Sequence, residues 1–376
     1  MKLVTFAGWI GFIIGCATEP LPDPIDAEDS GFDIGKADGC LGSPTDDDAR
    51  GVLMLANDTA ADSDELVDAG VDPRTAKRIV DSRPYADLGA LDAVPFVGPF
   101  TCRTLRDHAC NTRGLCERAL DLWTWNIEHF PLTAAAIPAV AQTLAAGPEI
   151  VGFEEVDTVS AFDQMRAQLP ATWDAVVGVT GFDTRVAIAY RRDRLSIVRT
   201  ESLFVGDSRR FPRPPLAVTF DMTGRAGTTR FTVVAVHLKA QVDTDSRERR
   251  RLAIIALDEW LAGKRAAGEK VVVVGDWNDD IDAPRDRNVF LPLIDHPEAY
   301  TAFTLDVATR HEFSYIPFRR LIDHLVATKE LGFPALAVDP VKLDATITNY
   351  KDSVSDHRPV HAVLVPIIPA PSAAEL

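Results

Sequence analysis

The stretch KVVVVGDWND, residues 270–279, decides the fold class of this chain. Its run of valines is β-branched and apolar throughout, which is typical of a short strand buried on both faces of a sheet. The polar side chains of Asp276 and Asn278 follow where the strand ends. A buried strand with polar groups at its end predicts an α/β domain whose chemistry lies at one edge of a sheet.

Segments of the same character recur from Leu120 onward, with helical segments between them. The strand-like segments are LDLWTWNIEHF, EIVGFEEV, WDAVVGV, RVAIAYR, LAVTFDM, TRFTVVAVHL, KVVVVGDWND, LIDHLVAT and RPVHAVLV. The helical segments are LTAAAIPAVAQTLAA, DTVSAFDQMRAQL and DSRERRRLAIIALDEWLAGKRAAG, and Ser246 is the predicted N-cap of the last. Residues 117–368 are therefore predicted to form one α/β domain with a large core.

Polar residues at the ends of these segments form an ordered set. In chain order they are Asn126, Glu154, Glu155, His237, Asp276, Asn278, Asp323, Asp356 and His357. This set, in this order, resembles the endonuclease/exonuclease/phosphatase superfamily, the metal-dependent phosphodiesterases that include pancreatic deoxyribonuclease, abasic-site endonucleases, bacterial sphingomyelinases and inositol-phosphate phosphatases. The resemblance implies a four-layered α/β sandwich, in which two packed mixed β-sheets are flanked by helices.

The resemblance also implies a metal site. The implied ligands are Glu155 as the principal one, with Asn126 and Asp356 nearby. Carboxylate and amide oxygens suit Mg²⁺, which takes few protein ligands and keeps several waters. The implied cofactor is therefore Mg²⁺, with Mn²⁺ or Ca²⁺ as alternatives, acting as a Lewis acid and a template.

The remaining residues of the set have implied catalytic roles. His357 would act as the general base or the phosphate-binding partner, oriented by Asp323 through its other ring nitrogen. Asp276 and Asn278 would position the attacking water and the phosphate. His237 would stabilise or protonate the leaving oxygen.

Neighbouring polar residues are predicted to be structural. Glu154 is expected to lie behind Glu155 or at the surface. Solvated or packed positions are predicted for His129, His296, His311, His324, His361, Asp279 and Asp280. Four arginines at positions 247 and 249–251 are predicted to form a solvated helix face, with a nucleic acid backbone as the alternative partner.

Two positions indicate a branch of the superfamily. Ala235 stands two residues before His237, as in the pancreatic deoxyribonuclease branch, where many other members carry Asn, and abasic-site enzymes carry Tyr in place of the histidine. The resemblance favours a DNA nuclease of low sequence specificity, with RNA as a further substrate. A sphingomyelinase-like or inositol-phosphate-type enzyme remains the alternative, and a non-catalytic DNA-uptake receptor is a third.

Residues 49–116 precede this domain and show helical periodicity broken by Gly- and Pro-containing turns. They resemble the tandem helix-hairpin-helix domain of DNA-uptake proteins, in which hairpin N–H groups hold a DNA phosphate. The implied phosphate contacts are Gly70, Gly98, Arg74 and Lys77. Pro99 departs from the pattern because it removes one of these N–H groups. The alternative is a compact helical spacer.

The N-terminus, MKLVTFAGWIGFIIGC, has a short apolar run that ends at Cys16. It resembles a bacterial lipoprotein signal peptide, residues 1–15, with an ordinary signal peptide as the alternative. The resemblance implies a lipid anchor on Cys16, and Ala17 after it favours the outer membrane or cell surface. Residues 16–48 are predicted to be a disordered acidic tether and residues 369–376 a tail.

The formal net charge is −17, and about half of it belongs to this tether. The rest of the chain is therefore still acidic, and no overall electrostatic field draws the protein to nucleic acid. Any DNA contact must be local or metal-assisted. The protein is predicted to be a monomer.

Cysteine usage agrees with export. Beyond Cys16 the chain has Cys40, Cys102, Cys110 and Cys116, an even number without a C-x-x-C pair. In an oxidising compartment four cysteines predict two disulfides, with three connectivities open.

Overall fold

The structure, a computed structural model, describes residue 40 and residues 47–181, 183–225 and 227–368. The predicted signal peptide with Cys16, most of the tether and the C-terminal tail lie outside the described residues. Across the described ranges, no helix has both the length and the apolar composition that crossing a bilayer requires.

Residues 47–111 form a unit of short helices with its own core. The helices are α1 (Asp47–Asn57), α2 (Ser63–Asp68), α3 (Pro73–Asp81), α4 (Leu88–Asp92) and α5 (Pro99–Asn111). Aspartates precede α2, α3 and α4, and each accepts hydrogen bonds from N–H groups in the first turn. The core contains Val52, Leu55, Ile79 and Leu105.

Two disulfides tie this unit together. They join Cys40 to Cys102 and Cys110 to Cys116, which is one of the three connectivities left open by the sequence. The first therefore fixes a point of the predicted tether to α5, and the second closes the segment that leads into the larger domain.

The larger domain contains two sheets packed on each other. Its strands are β1 (Leu120–Phe130), β2 (Ile150–Val156), β3 (Trp173–Val177), β4 (Arg185–Arg191), β5 (Leu195–Ser202), β6 (Leu216–Thr223), β7 (Thr228–His237), β8 (Val271–Asp276), β9 (Tyr300–Ala302), β10 (Asp323–Thr328), β11 (Ala335–Pro340) and β12 (Val360–Leu364). Its helices are α6 (Ala136–Ala146), α7 (Val159–Arg166), α8 (Thr244–Ala266), α9 (Leu291–Ile294), α10 (Leu305–Thr309) and α11 (Tyr350–Ser353). The predicted sandwich of two mixed sheets flanked by helices is confirmed.

The order of the strands brings the predicted site residues to one edge. One sheet has the order β11-β12-β1-β2-β4-β3 and the other β5-β6-β7-β8-β10-β9. The pairs β1–β2 and β7–β8 are parallel, so each pair ends at the same edge of its sheet. His237 lies opposite Asp276 in the register, and Asp323, the first residue of the antiparallel β10, also pairs with Asp276.

Two element predictions are corrected. Ser246 is not the N-cap of α8; Asp243 is, since its carboxylate accepts from the backbone N–H of Ser246 at 3.0 Å and the helix begins at Thr244. Strands β5, β9 and β11 were not predicted. In β5 the apolar residues Ile197 and Val198 are exposed at the sheet edge and leave no buried pattern to detect.

The helical unit is anchored at the end of the sheets opposite His237. Arg50 donates to the carbonyl of Glu117 at 2.6 Å, just before β1 begins. Arg225, in the turn between β6 and β7, pairs with Asp48 at 2.5 Å. Strand β1 has 11 residues, so roughly 35 Å separates its two ends at ~3.3 Å per residue.

Gly152 allows the two sheets to approach. It lies in β2 of the first sheet, and a Cβ built there would be 2.6 Å from Val274 Cγ2 and 3.5 Å from the Cβ of Ala235, both in the second sheet. A side chain would therefore force the sheets apart, since a packed interior yields little.

We expect Gly152→Ala to lower the free energy of unfolding by about 1–3 kcal/mol, because it overpacks the core. Gly263→Ala is the matched control, since Gly263 lies on exposed α8 with nothing within 4 Å of the added Cβ and should be neutral or stabilising by up to ~1 kcal/mol. Urea unfolding followed by tryptophan fluorescence measures both. Equal midpoints for the two variants would contradict close contact at Gly152.

Candidate active site

Four predicted residues meet where the central strands end. The amide Nδ2 of Asn126 donates to Glu155 Oε1 at 3.1 Å and to Asp276 Oδ2 at 3.0 Å. His237 Nε2 lies 3.8 Å from Glu155 Oε1 and 3.5 Å from Asp276 Oδ2. Asn126 therefore turns its nitrogen toward the two acids, while its Oδ1 accepts from the backbone N–H of Glu128 at 3.0 Å.

Glu155 is held in an uncommon backbone conformation. Its φ is +61°, and its Oε2 accepts from the backbone N–H of His129 at 3.0 Å. A non-glycine residue in the left-handed region costs about 1 kcal/mol or more and is often found at functional sites. This backbone conformation therefore directs the Glu155 carboxylate toward the strand ends.

A buried dyad lies beside these acids. His357 Nδ1 and Asp323 Oδ2 are 2.8 Å apart, and Asp323 is fully buried. Burial lowers the pKa of His357, but the Asp323 carboxylate outweighs it and holds the pKa well above its ordinary value. Ser355 fixes the loop, because its hydroxyl accepts from the N–H of His357 at 2.9 Å and donates to the carbonyl of Asn126 at 2.6 Å.

Asp276 and His237 have opposite tendencies to hold a proton. Burial and the negative charge of Asp323 raise the pKa of Asp276 to about 7. Burial and the positive charge of Arg213 lower the pKa of His237 well below its ordinary value, so its imidazole is neutral. Asn278 orients Asp276, since its backbone N–H donates to Asp276 Oδ1 at 2.9 Å.

The sequence analysis did not assign two residues that lie at the site. Glu128 Oε2 accepts from the backbone N–H of Asp356 at 2.8 Å, and burial and the Asp356 charge raise the pKa of Glu128. His129, predicted to be structural, lies with its Nε2 3.7 Å from Glu155 Oε2. Both have positive φ at an irregularity in β1, which strand periodicity does not indicate.

Glu154 does not lie at the surface. It is fully buried, its Oε1 accepts from the Thr124 hydroxyl at 3.0 Å, and its Oε2 has no hydrogen-bond partner in the described residues. Burial, and then the charge of Asp323, raises its pKa well above the ordinary value. Glu154 is therefore a neutral acid beneath the site.

The predicted solvated helix face is partly wrong. Arg250 is buried, and its Nε donates to Asp279 Oδ2 at 2.9 Å. Its Nη1 donates to the carbonyls of Lys239 at 2.6 Å and Gln241 at 2.7 Å. This pair joins the loop after β7 to the loop after β8, so Asp279 is structural rather than solvated.

The donor set fits a divalent cation. Ligand atoms of Glu155, His237 and Asp276 lie within 4.8 Å of one another. Asp356 is close to Glu155, and after burial the Glu155 charge contributes to raising the pKa of Asp356. A cation between neighbouring carboxylates offsets their mutual repulsion, and oxygen-rich sites of this kind suit Mg²⁺, Mn²⁺ or Ca²⁺.

The predicted DNA-phosphate contacts lie on the helical unit. Gly70, with φ +106°, forms the turn before α3, but Asp72 already accepts from the N–H of Arg74 at 3.0 Å. Lys77 pairs with Asp81 at 2.9 Å. Gly98 is the N-cap residue of α5, and among the described residues no side chain caps the N–H groups there. Apart from the N–H that Pro99 lacks, the first turn of α5 therefore keeps free donors, whereas the first turn of α3 donates to Asp72.

Clustered acids and two histidines at the strand ends of a two-sheet sandwich can hold a cation and move protons, as hydrolysis of a phosphate ester requires. The chain belongs to the Endonuclease/Exonuclease/phosphatase family, whose model matches residues 123–357. Members of this family hydrolyse phosphodiesters or phosphate monoesters and generally use divalent metal ions.

Solved structures share this fold. The human Nocturnin catalytic domain with bound sulfate is 15% identical over 66% of this chain and 95% of that one, with a TM-score of 0.50. D. rerio TDP2 complexed with a single-strand DNA product is 14% identical over 65% of this chain and 98% of that one, with a TM-score of 0.50. A mannosyl-6-phosphatase of Bacteroides thetaiotaomicron is 15% identical over 65% of this chain and 99% of that one, with a TM-score of 0.49. No curated protein matches the chain in sequence.

Proposed function

We propose that this protein is a metal-dependent phosphodiesterase that cleaves DNA with little sequence preference. The observation that carries the proposal is the joint presence of the Asp323–His357 dyad and the cluster of Glu155, Asp276 and His237 at one edge of the sheets. Hydrolysis of a phosphodiester needs a positioned water, charge neutralisation at the phosphoryl oxygens and a proton for the leaving group.

Each group has a place in that reaction. Glu155 and Asp356 would hold the cation, which when bound neutralises phosphoryl charge and activates water. Asn126, predicted as a further ligand, instead donates its amide N–H to Glu155 and Asp276 and would keep these carboxylates in place. His357 is committed to Asp323 through Nδ1, so its protonated Nε2 is left to donate to a phosphoryl oxygen. That favours the phosphate-binding role for His357 over the role of base.

Asp276 would then accept the proton of the attacking water. A pKa of about 7 keeps part of Asp276 ionised at neutral pH, which suits a general base. Asn278 holds its carboxylate in place. The neutral His237, 3.5 Å from Asp276 Oδ2, would hydrogen bond to the leaving oxygen.

DNA is favoured as the substrate by two features of the chain and by one solved structure. Ala235 before His237 is similar to the pancreatic deoxyribonuclease branch, and the helical unit is similar to DNA-binding hairpins. TDP2, whose structure holds a single-strand DNA product, has the same fold. A sphingomyelin, inositol-phosphate or sugar-phosphate ester is the second candidate, favoured by the position of the helical unit at the far end of the sheets. RNA is a further substrate to test.

We also propose that the protein is exported and lipid-anchored through Cys16, facing the exterior of a bacterial outer membrane. The apolar run before Cys16 and the disulfides support this. Metabolic labelling with a fatty acid should mark the wild type and not Cys16→Ala. Equal labelling of both would contradict the anchor.

Nicking of supercoiled plasmid tests the activity. With Mg²⁺ the purified protein should convert plasmid to open circles, and a chelator should stop the reaction, since the clustered carboxylates need a cation to bind a phosphodiester. Bis(p-nitrophenyl) phosphate, sphingomyelin and inositol phosphates serve as parallel substrates. Turnover of one of the last two without plasmid nicking would replace DNA by the second candidate, and no turnover of any ester would contradict phosphodiesterase activity.

A further inference from the structure

Three aromatic rings form a stepped series from the catalytic dyad to the solvent. The ring of Tyr315 lies 4.8 Å from that of His357, with 39° between the planes. The ring of Phe318 lies 5.8 Å from that of Tyr315, with 36° between the planes. Tyr315 is half-buried and Phe318 is 74% exposed, so the series runs from the interior to open water.

The hairpin that carries these rings, residues 313–320, is firmly held. Tyr315 and Arg320 exchange two backbone hydrogen bonds, of 2.9 and 3.2 Å. Ile316 donates to the carbonyl of Asp356 at 2.9 Å, which fixes the hairpin to the loop of the dyad. Arg320 also pairs with Asp280 at 2.7 Å. Phe318 is therefore presented to solvent by a rigid support rather than left there by a loose loop.

An exposed phenyl ring beside a reaction centre gains most from a planar partner. Offset stacking between rings is favourable, and every nucleobase has a face on which it can stack. Burial and the negative charge of Asp356 raise the pKa of Tyr315, so its hydroxyl stays protonated at neutral pH within the field of the site. Arg319 lies over the ring of Phe313 at 4.4 Å, which places a guanidinium beside the hairpin.

We propose that Tyr315 and Phe318 form a stacking subsite for a nucleobase next to the scissile phosphate. This inference rests on the proposed phosphodiesterase function and adds to it a preference for nucleic acid in which the base at that position is unpaired or can unstack. A phosphosphingolipid or a sugar phosphate has no planar ring for such a subsite. A single exposed aromatic between Pro317 and Arg319 also offers little apolar surface to a lipid bilayer.

The test uses two single-stranded oligonucleotides that differ only in the bases. One carries normal nucleotides on both sides of a labelled cleavage position, and the other carries abasic spacers there, with the phosphates kept. We expect the wild type to prefer the base-bearing oligonucleotide by about tenfold in kcat/KM, mainly through KM. Phe318→Ala should lose most of this preference, and Phe318→Trp should keep it because tryptophan still offers a planar face.

Leu336→Ala is the matched control, an exposed apolar residue on β11 near the opposite end of the first sheet; its preference should equal that of the wild type. An equal preference for bases in the wild type and Phe318→Ala would overturn the subsite. Loss of binding to anionic phospholipid vesicles in Phe318→Ala, with the base preference intact, would also overturn it in favour of a membrane contact. Failure of the wild type to cleave either oligonucleotide, while it still nicks plasmid, would also overturn the subsite. Failure to cleave both the oligonucleotides and plasmid would instead contradict the proposed nuclease function.

Discussion

His357→Ala is expected to lower kcat for phosphodiester hydrolysis by about 10³-fold, which corresponds to ~4 kcal/mol of lost transition-state stabilisation. Within the described residues, the substitution removes the only side chain that is hydrogen-bonded to the Asp323 carboxylate, and with it the proposed donor to the phosphoryl oxygen. Plasmid nicking and steady-state hydrolysis of bis(p-nitrophenyl) phosphate measure the loss.

His296→Ala is the control for this experiment. His296 is exposed and its ring pairs with Glu298 at 3.0 Å, away from the strand ends, so its replacement should leave kcat unchanged. Circular dichroism of both variants checks that the fold is intact. A folded His357→Ala protein that retains more than about a tenth of the wild-type kcat would exclude the proposed role.

Asp323→Asn is expected to change how the activity depends on pH. In the wild type the Asp323 carboxylate keeps the pKa of His357 well above its ordinary value, so the imidazolium persists through neutral pH. Without that charge the pKa should fall toward or below the ordinary ~6.5. If activity needs protonated His357, the activity of Asp323→Asn should decline as the pH rises through neutrality. The wild type keeps His357 protonated over this range, so its activity should not decline for this reason.

Glu155→Gln is expected to weaken divalent-cation binding by at least about 100-fold, with a matching loss of activity at low metal concentration. The change keeps the size of the side chain but removes the charge that the structure aims at the strand ends through a backbone with φ +61°. Calorimetric titration with Mg²⁺ and Mn²⁺, and activity as a function of metal concentration, measure the effect.

The neighbouring residue provides a matched control with the same chemical change. Glu154 is buried, and burial raises its pKa well above the ordinary value, which disfavours its charged form. Glu154→Gln keeps the shape of this side chain, and it should change cation affinity only a few-fold. Equal losses of affinity in the two variants would contradict the assignment of Glu155 as the principal ligand.

The position of the helical unit limits how it can assist catalysis. It is anchored near Glu117 and in the β6–β7 turn, at the end of the sheets opposite Asn126 and His237. A nucleic acid bound at Gly98 and cleaved at the active site would have to pass along the side of the sandwich. The unit would then raise the local concentration of long DNA without changing turnover of a short phosphodiester.

Sequence patterns predicted an α/β domain with polar residues at its strand ends, and the resemblance to a known family added the two-sheet sandwich. Buried strands are visible as apolar β-branched runs. Asp276 ends β8 and Asp323 begins the antiparallel β10, so pairing of the two strands brings both residues to one edge. These are local patterns repeated along the chain, and pairing alone turns them into a cluster. The family resemblance, read onto the same strand ends, singled out Glu155, His237 and His357.

The tertiary structure alone decided the groups that reach the site from outside this pattern. Glu128 meets Asp356 across 228 positions of sequence, and Phe318 extends the rings above His357 only because a hairpin docks on the dyad loop. The burial of Glu154 and Arg250 likewise follows from how layers pack. A side chain's partners across a packed interface depend on the position of both elements in space, whereas hydrophobic periodicity records only which face of one element is buried.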